Sequence, residues 1–117
     1  MVNPLINPTA LAAAREEKYF NTVISELNDH VVRMGIMTEP YPWHYHPNSD
    51  ETFIGCEGVV IIQTPSEIFE LGAGMIVTIP KGVPHTTRPK GVRSVNLTIE
   101  RSAMKTFFVD DTDETRK

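Results

Sequence analysis

The sequence is short of the features on which several protein classes depend. It has a single cysteine, Cys56, among 117 residues, so no internal disulfide and no CxxC metal or redox pair can form. Any metal must then be held by nitrogen and oxygen. Positive charge is also scarce: eleven Lys and Arg stand against fifteen Asp and Glu, a formal charge of -4 with a pI near 5.5. That balance opposes the phosphate-driven contacts on which nucleic-acid binding relies. No apolar run approaches the roughly 20 residues that cross a bilayer as a helix. The first twenty residues, interrupted by Pro4 and Pro8 and charged from Arg15 onward, lack the basic start and unbroken apolar segment of a secretory signal. Together these absences predict a soluble, cytoplasmic protein with neither a nucleic-acid nor a membrane partner.

What is present suits one domain. A chain of 13.1 kDa leaves no room for a second independent core, and at this length about two thirds of the unfolded surface can be buried without disulfide or metal staples. Helix cues occur only early, where Thr9 can cap the run Ala10 to Lys18. Residues 1–20 therefore read as a short N-terminal helical or extended arm. Beyond them the pattern is β. Thr22 to Leu27 and His30 to Thr38 flank Asn28-Asp29, a polar pair suited to a hairpin turn. Further short runs follow at Thr52 to Cys56, Val59 to Thr64, Ile68 to Leu71, Met75 to Ile79 and Ser94 to Glu100, separated by glycine and proline. Many short strands with almost no helix predict an all-β sandwich or barrel, here over residues 21–109. The charged segment 110–117 reads as a flexible C-terminal tail.

Two of only four histidines, His44 and His46, share the run Trp43 to Glu51. On a strand, residues i and i+2 face the same way, so both imidazoles can point at one place inside a barrel while Trp43 and Tyr45 join a packing layer. Pro47 to Asp50 can turn the chain and let Glu51 offer a carboxylate from the next strand. His85 arrives from far away, just after the stiff turn Pro80 to Pro84. Three imidazoles and a carboxylate form a set suited to one divalent Fe, Mn, Co, Ni, Cu or Zn ion.

These residues resemble the cupin superfamily, whose two motifs read G-x5-H-x-H-x3-4-E-x6-G and G-x5-P-x-G-x2-H-x3-N. His44, His46, Glu51 and Gly58 match the first, and Gly74, Pro80, Gly82 and His85 the second. Thr38 and Pro89 stand where the motifs have their outer glycine and asparagine. The stretch from Trp43 also looks like small single-domain cupins of the mannose-6-phosphate-isomerase-like kind. The resemblance implies a cupin-like jelly-roll barrel (a double-stranded β-helix), a divalent metal bound by His44, His46, Glu51 and His85, a small-molecule ligand or substrate, and a homodimer.

Of the remaining candidates, His30 is expected on an exposed hairpin, Asp50 in a surface turn and Cys56 as a small buried apolar side chain. Arg88 and Asn96 are the polar residues to look for near the barrel mouth. Met34, Ile36, Phe53, Met75, Val77 and Ile79 are expected to line the barrel or fill its core. No second carboxylate, lysine or tyrosine is placed by the sequence as a general base. The functional expectation is a metal-dependent isomerase or epimerase of a small polar substrate, with an iron-dependent dioxygenase and a non-catalytic binding module as alternatives.

Overall fold

A computed structural model describes residues 4–109; the tail expected over 110–117 lies outside them. The helix, α1 (Pro8–Ala13), is shorter and earlier than the composition suggests. Asn7, not Thr9, is its cap: the Asn7 side-chain oxygen accepts from the Ala10 N–H at 3.2 Å, and Pro8 takes the first-turn position, where no N–H is needed. The helix stops before Lys18 because the sheet claims that residue. The Lys18 carbonyl accepts from both the N–H (2.9 Å) and the hydroxyl (2.8 Å) of Thr38, while Arg15 lies over the Phe20 ring.

Ten strands follow: β1 (Tyr19–Leu27), β2 (His30–Met37), β3 (Tyr41–Tyr45), β4 (Glu51–Glu57), β5 (Val60–Gln63), β6 (Ile68–Leu71), β7 (Ile76–Ile79), β8 (His85–Pro89), β9 (Ser94–Arg101) and β10 (Phe107–Phe108). They form two five-stranded antiparallel sheets, ordered β1-β2-β9-β4-β7 and β10-β3-β8-β5-β6. The fold is thus all-β with one short helix, as expected. The hairpin β1–β2 turns at Asn28-Asp29, with Asn28 at a φ of 52°, a conformation Asn tolerates better than most residues. Strand β1 begins at Tyr19, inside the segment read as an arm. Strand β8 was hidden from strand patterning by Pro89 and its histidine, while β3 was indicated only by the spacing of His44 and His46; the two pair directly, His44 opposite His85.

Two apolar clusters support the barrel. Met37, Phe53, Val60, Ile62, Leu71 and Ile79 are buried together, with Val77 packed against them. Met34, Ile36 and Val95 pack with Ala12 of α1; Cys56, half-buried, packs against this second cluster. Met75 corrects the sequence expectation. It is 56% exposed, because it closes the Gly72 to Met75 turn rather than entering β7. That turn lies hard against β4: a Cβ on Gly55 would stand 2.0 Å from the Gly72 carbonyl oxygen, a contact no side chain could make, so Gly55 is required for the close approach.

Candidate metal centre

The four candidate side chains come together from separate places in the chain. His44 is on β3, His46 lies one residue beyond it, His85 opens β8 in the same sheet, and Glu51 opens β4 of the facing sheet. All four are buried, and one nitrogen or oxygen atom from each lies within 4.8 Å of the others.

Local backbone contacts aim them. The turn before His85, with Gly82 at a φ of 84°, is clamped to the 46–50 loop: the Gly82 N–H donates to the His46 carbonyl and the Lys81 N–H to Asp50 Oδ1, each at 2.8 Å. Asp50 is therefore an exposed turn carboxylate, as its position implied. Asn48 holds the segment after β9, donating to the Ala103 carbonyl at 3.0 Å and accepting from the Lys105 N–H at 2.8 Å.

These contacts also set the histidine tautomers. Nδ1 of His44 donates to the Pro42 carbonyl at 2.7 Å, Nδ1 of His46 to the Lys105 carbonyl at 3.0 Å, and Nδ1 of His85 to the Val83 carbonyl at 2.9 Å. A carbonyl only accepts, so each Nδ1 carries the proton and each neutral ring is left with a lone pair on Nε2. Nε2 of His46 and of His85 nevertheless stand 3.1 and 3.2 Å from Glu51 Oε1. Lone pairs facing a carboxylate at that distance require a cation between them, either an added proton or a metal ion. Buried His46 Nε2 also lacks a hydrogen-bond partner. The residues fit a divalent ion: three imidazoles oriented by outer carbonyls and one carboxylate are the kind of set such ions bind.

Without an ion, the electrostatics show how unsettled the cluster is. Burial, joined by the charge of His85, pushes His44 down to about 4. Burial works to raise Glu51, but hydrogen bonds from His46 and His85 outweigh it and hold the carboxyl down to about 2. His46 is raised, because Glu51 overcomes the opposing effect of burial.

A cavity of about 240 Å³ opens from this cluster toward the barrel mouth. Asn96 lines it, as expected. Arg88 does not: it alternates away from His85 and Thr87 and donates to Gln63 Oε1 at 3.1 Å. Tyr45 stacks on Phe107 and so serves packing, and His30 pairs with Asp29 at the hairpin. Sequence reasoning missed Glu100, Arg33, Asn21, Thr98 and Tyr19, which share the cavity wall with Asn96. Glu100 is 1% exposed, and burial, reinforced by the Glu51 charge, raises its carboxyl to about 7 against the lowering effects of Thr98 and Arg33. Its only signal in the sequence was alternation: Asn96, Thr98 and Glu100 are polar residues two apart, interleaved with Val95, Leu97 and Ile99.

Fold and site together define a double-stranded β-helix barrel able to hold a metal, and the chain belongs to the cupin family: the family described as Cupin_2, Cupin domain, matches residues 32–98. It is 42% identical over 106 residues to the uncharacterized protein YdbB of Bacillus subtilis (strain 168), covering 90% of this chain and 93% of that one. Among solved structures it resembles a cupin-2 domain containing protein from Shewanella frigidimarina NCIMB 400, with 30% identity, a TM-score of 0.76, and coverage of 83% and 94% of the two chains. It shares the fold with the DMSP lyase DddQ of Ruegeria pomeroyi DSS-3 at 20% identity and a TM-score of 0.71, over 83% of this chain and 54% of that one.

Two outcomes follow from the geometry. After exhaustive dialysis the protein is expected to keep about one divalent ion per chain by elemental analysis, with a melting midpoint that falls on chelation, whereas His44→Ala loses the ion; stoichiometric metal in that variant would remove His44 from the set. The second concerns metal-free protein. Because the folded Glu100 carboxyl titrates near 7 against an ordinary 4.5, the native state binds the extra proton between those values and its stability falls as pH rises through them. Glu100→Gln removes this burden, so it should gain on the wild type between pH 5 and pH 8 by up to about 3 kcal/mol in urea unfolding. An unchanged difference would contradict the burial assigned to Glu100.

Proposed function

We propose that the protein is a metal-dependent enzyme that isomerises or epimerises a small carbonyl-bearing or sugar-like substrate, with His44, His46, Glu51 and His85 as the metal ligands. The observation that carries this reading is the convergence of three imidazoles and one carboxylate beside a cavity lined in part by polar side chains. When bound there, a divalent ion would polarise a substrate carbonyl and ease proton loss at the neighbouring carbon. The chain's own residues supply the rest. Phe53 and Met37 give part of the wall an apolar surface that excludes water, while Asn21, Asn96, Thr87 and Tyr41 offer hydrogen-bonding groups to substrate hydroxyls. Glu51, if occupied by the metal, is not free to act as a base.

The test is isotope exchange. Protein loaded in turn with Mn, Fe(II), Co, Ni and Zn is incubated in D2O with ketoses, aldoses and their phosphates, mannose 6-phosphate included. Deuterium is expected beside the carbonyl of at least one, lost on chelation. No exchange with any ion would reject the isomerase reading; oxygen uptake by the iron form would then support a dioxygenase, and ligand protection without turnover a binding module.

A cytoplasmic homodimer completes the proposal. The half-buried lone Cys56 suits a reducing compartment. Strand β1 is an edge of its sheet and exposes Tyr19, Val23 and Leu27, and such edges are commonly covered. Light scattering at micromolar concentration should give twice the 13.1 kDa chain mass; a single chain mass would exclude the dimer.

A further inference from the structure

Beside the histidine cluster, where the Thr52–Ile99 pairing of β4 with β9 brings Glu100 next to Glu51, Arg33 and Glu100 form an ion pair that lacks a well-aligned hydrogen bond. Glu100 Oε1 accepts from the Thr98 hydroxyl at 2.8 Å. Its other oxygen, Oε2, is buried and has no hydrogen-bond partner. Arg33 Nε is 3.4 Å from that oxygen but not aligned to donate to it, and Arg33 Nη1 spends a long 3.3 Å bond on Asn21 Oδ1. Arg33 is 37% exposed at the mouth, whereas Glu100 is 1% exposed. The pairing is built into the sheet, since Arg33 of β2 sits directly opposite Thr98 of β9.

A buried carboxylate oxygen left without a donor is costly unless something else supplies one. An arginine that could make two short parallel bonds to a carboxylate, and makes none here, keeps donors for another anion. The charges agree. With a divalent ion at the histidine cluster, the ion, Glu51, Glu100 and Arg33 would together carry one net positive charge, which an anionic ligand would balance.

We propose that Arg33 and Glu100 form a recognition pair in the cavity, beside the histidine cluster, and select a short hydroxy acid, its carboxylate paired with Arg33 and its hydroxyl donating to Glu100 Oε2. This rests on the reading of the cavity as a substrate site and narrows the substrate to an acid. A neutral sugar leaves Arg33 with only its loose contacts to Glu100 and Asn21, and an acid lacking the hydroxyl leaves Glu100 Oε2 without a donor. Sites built around buried polar groups reject ligands that fail to satisfy them.

The probes are lactate, propionate, which lacks the hydroxyl, and 1,2-propanediol, which lacks the carboxylate. Affinities are measured by calorimetry on zinc-loaded and on metal-free protein. Wild type should bind lactate at least about tenfold more tightly than either control, the scale of one hydrogen bond to a charged group. Glu100→Ala should bring the lactate-to-propionate ratio near one while preserving the lactate-to-propanediol ratio, and Arg33→Ala should do the reverse. General damage to the fold would not produce that crossed pattern. Should either alanine variant fail to fold, Glu100→Gln and Arg33→Lys serve: each retains part of the contact and should lower only its own ratio. A wild type that binds all three probes alike, or a Glu100 variant that keeps its preference for lactate over propionate, overturns the proposal. Failure of the enzymatic reading appears separately, as absent isotope exchange in a protein whose binding ratios are intact.

Discussion

The hydrogen bonds from three imidazole Nδ1 atoms to the carbonyls of Pro42, Lys105 and Val83 are the constraint on which the centre depends. They decide which nitrogen of each ring carries the proton, and so they turn three lone pairs toward Glu51. Carbonyl partners are well suited to this because they accept and cannot donate, which leaves no competing tautomer for a neutral ring. Each also belongs to backbone already placed for another reason. Pro42 lies within β3, Val83 is in the turn clamped to the 46–50 loop, and Lys105 is held by Asn48. The ligand geometry is thereby a property of the barrel wall, which makes it more rigid than a site carried on free loops.

The interior of the barrel is divided by chemistry. One region is filled by Met37, Phe53, Val60, Ile62, Leu71 and Ile79 and supplies the hydrophobic stabilisation a chain this small needs. The other gives up such packing for polar side chains, among them Asn96, Thr98 and Glu100 from alternate positions on β9. Burial of polar groups with incomplete partners is unfavourable for folding, and two of the three such atoms among the described residues, His46 Nε2 and Glu100 Oε2, belong to residues of this cavity, the third being Ser94 Oγ. Glu100 Oε2 and His46 Nε2, both buried and without hydrogen-bond partners, are two points in the cavity wall where something from outside the chain would complete the structure.

Much of this was legible in the residues. The spacing of His44, His46 and Glu51, and the Pro/Gly turn ahead of His85, pointed to a shared site because strand alternation and a short turn leave few other placements for those side chains. Short runs with glycine and proline between them indicated an all-β barrel. Other features were not legible. Strand β8 carries histidine and proline at its ends, so it is held by pairing with β3 and β5 rather than signalled by intrinsic propensity. Met75 looked like a strand residue but belongs to a turn, since the close approach of Gly55 to Gly72 sets where β7 begins. Arg88 was sought at the mouth and lies on the other face of its strand.

The sequence by itself determined the class of protein and the donor types, because local spacing and turn chemistry act over a few residues and leave their mark there. Only the tertiary structure decided which nitrogen of each histidine faces inward, and that a carboxylate near the end of β9 meets an arginine of β2 across the sheet. Those outcomes depend on register between strands far apart in the chain, which is set by the packing of the whole barrel and has no local signature.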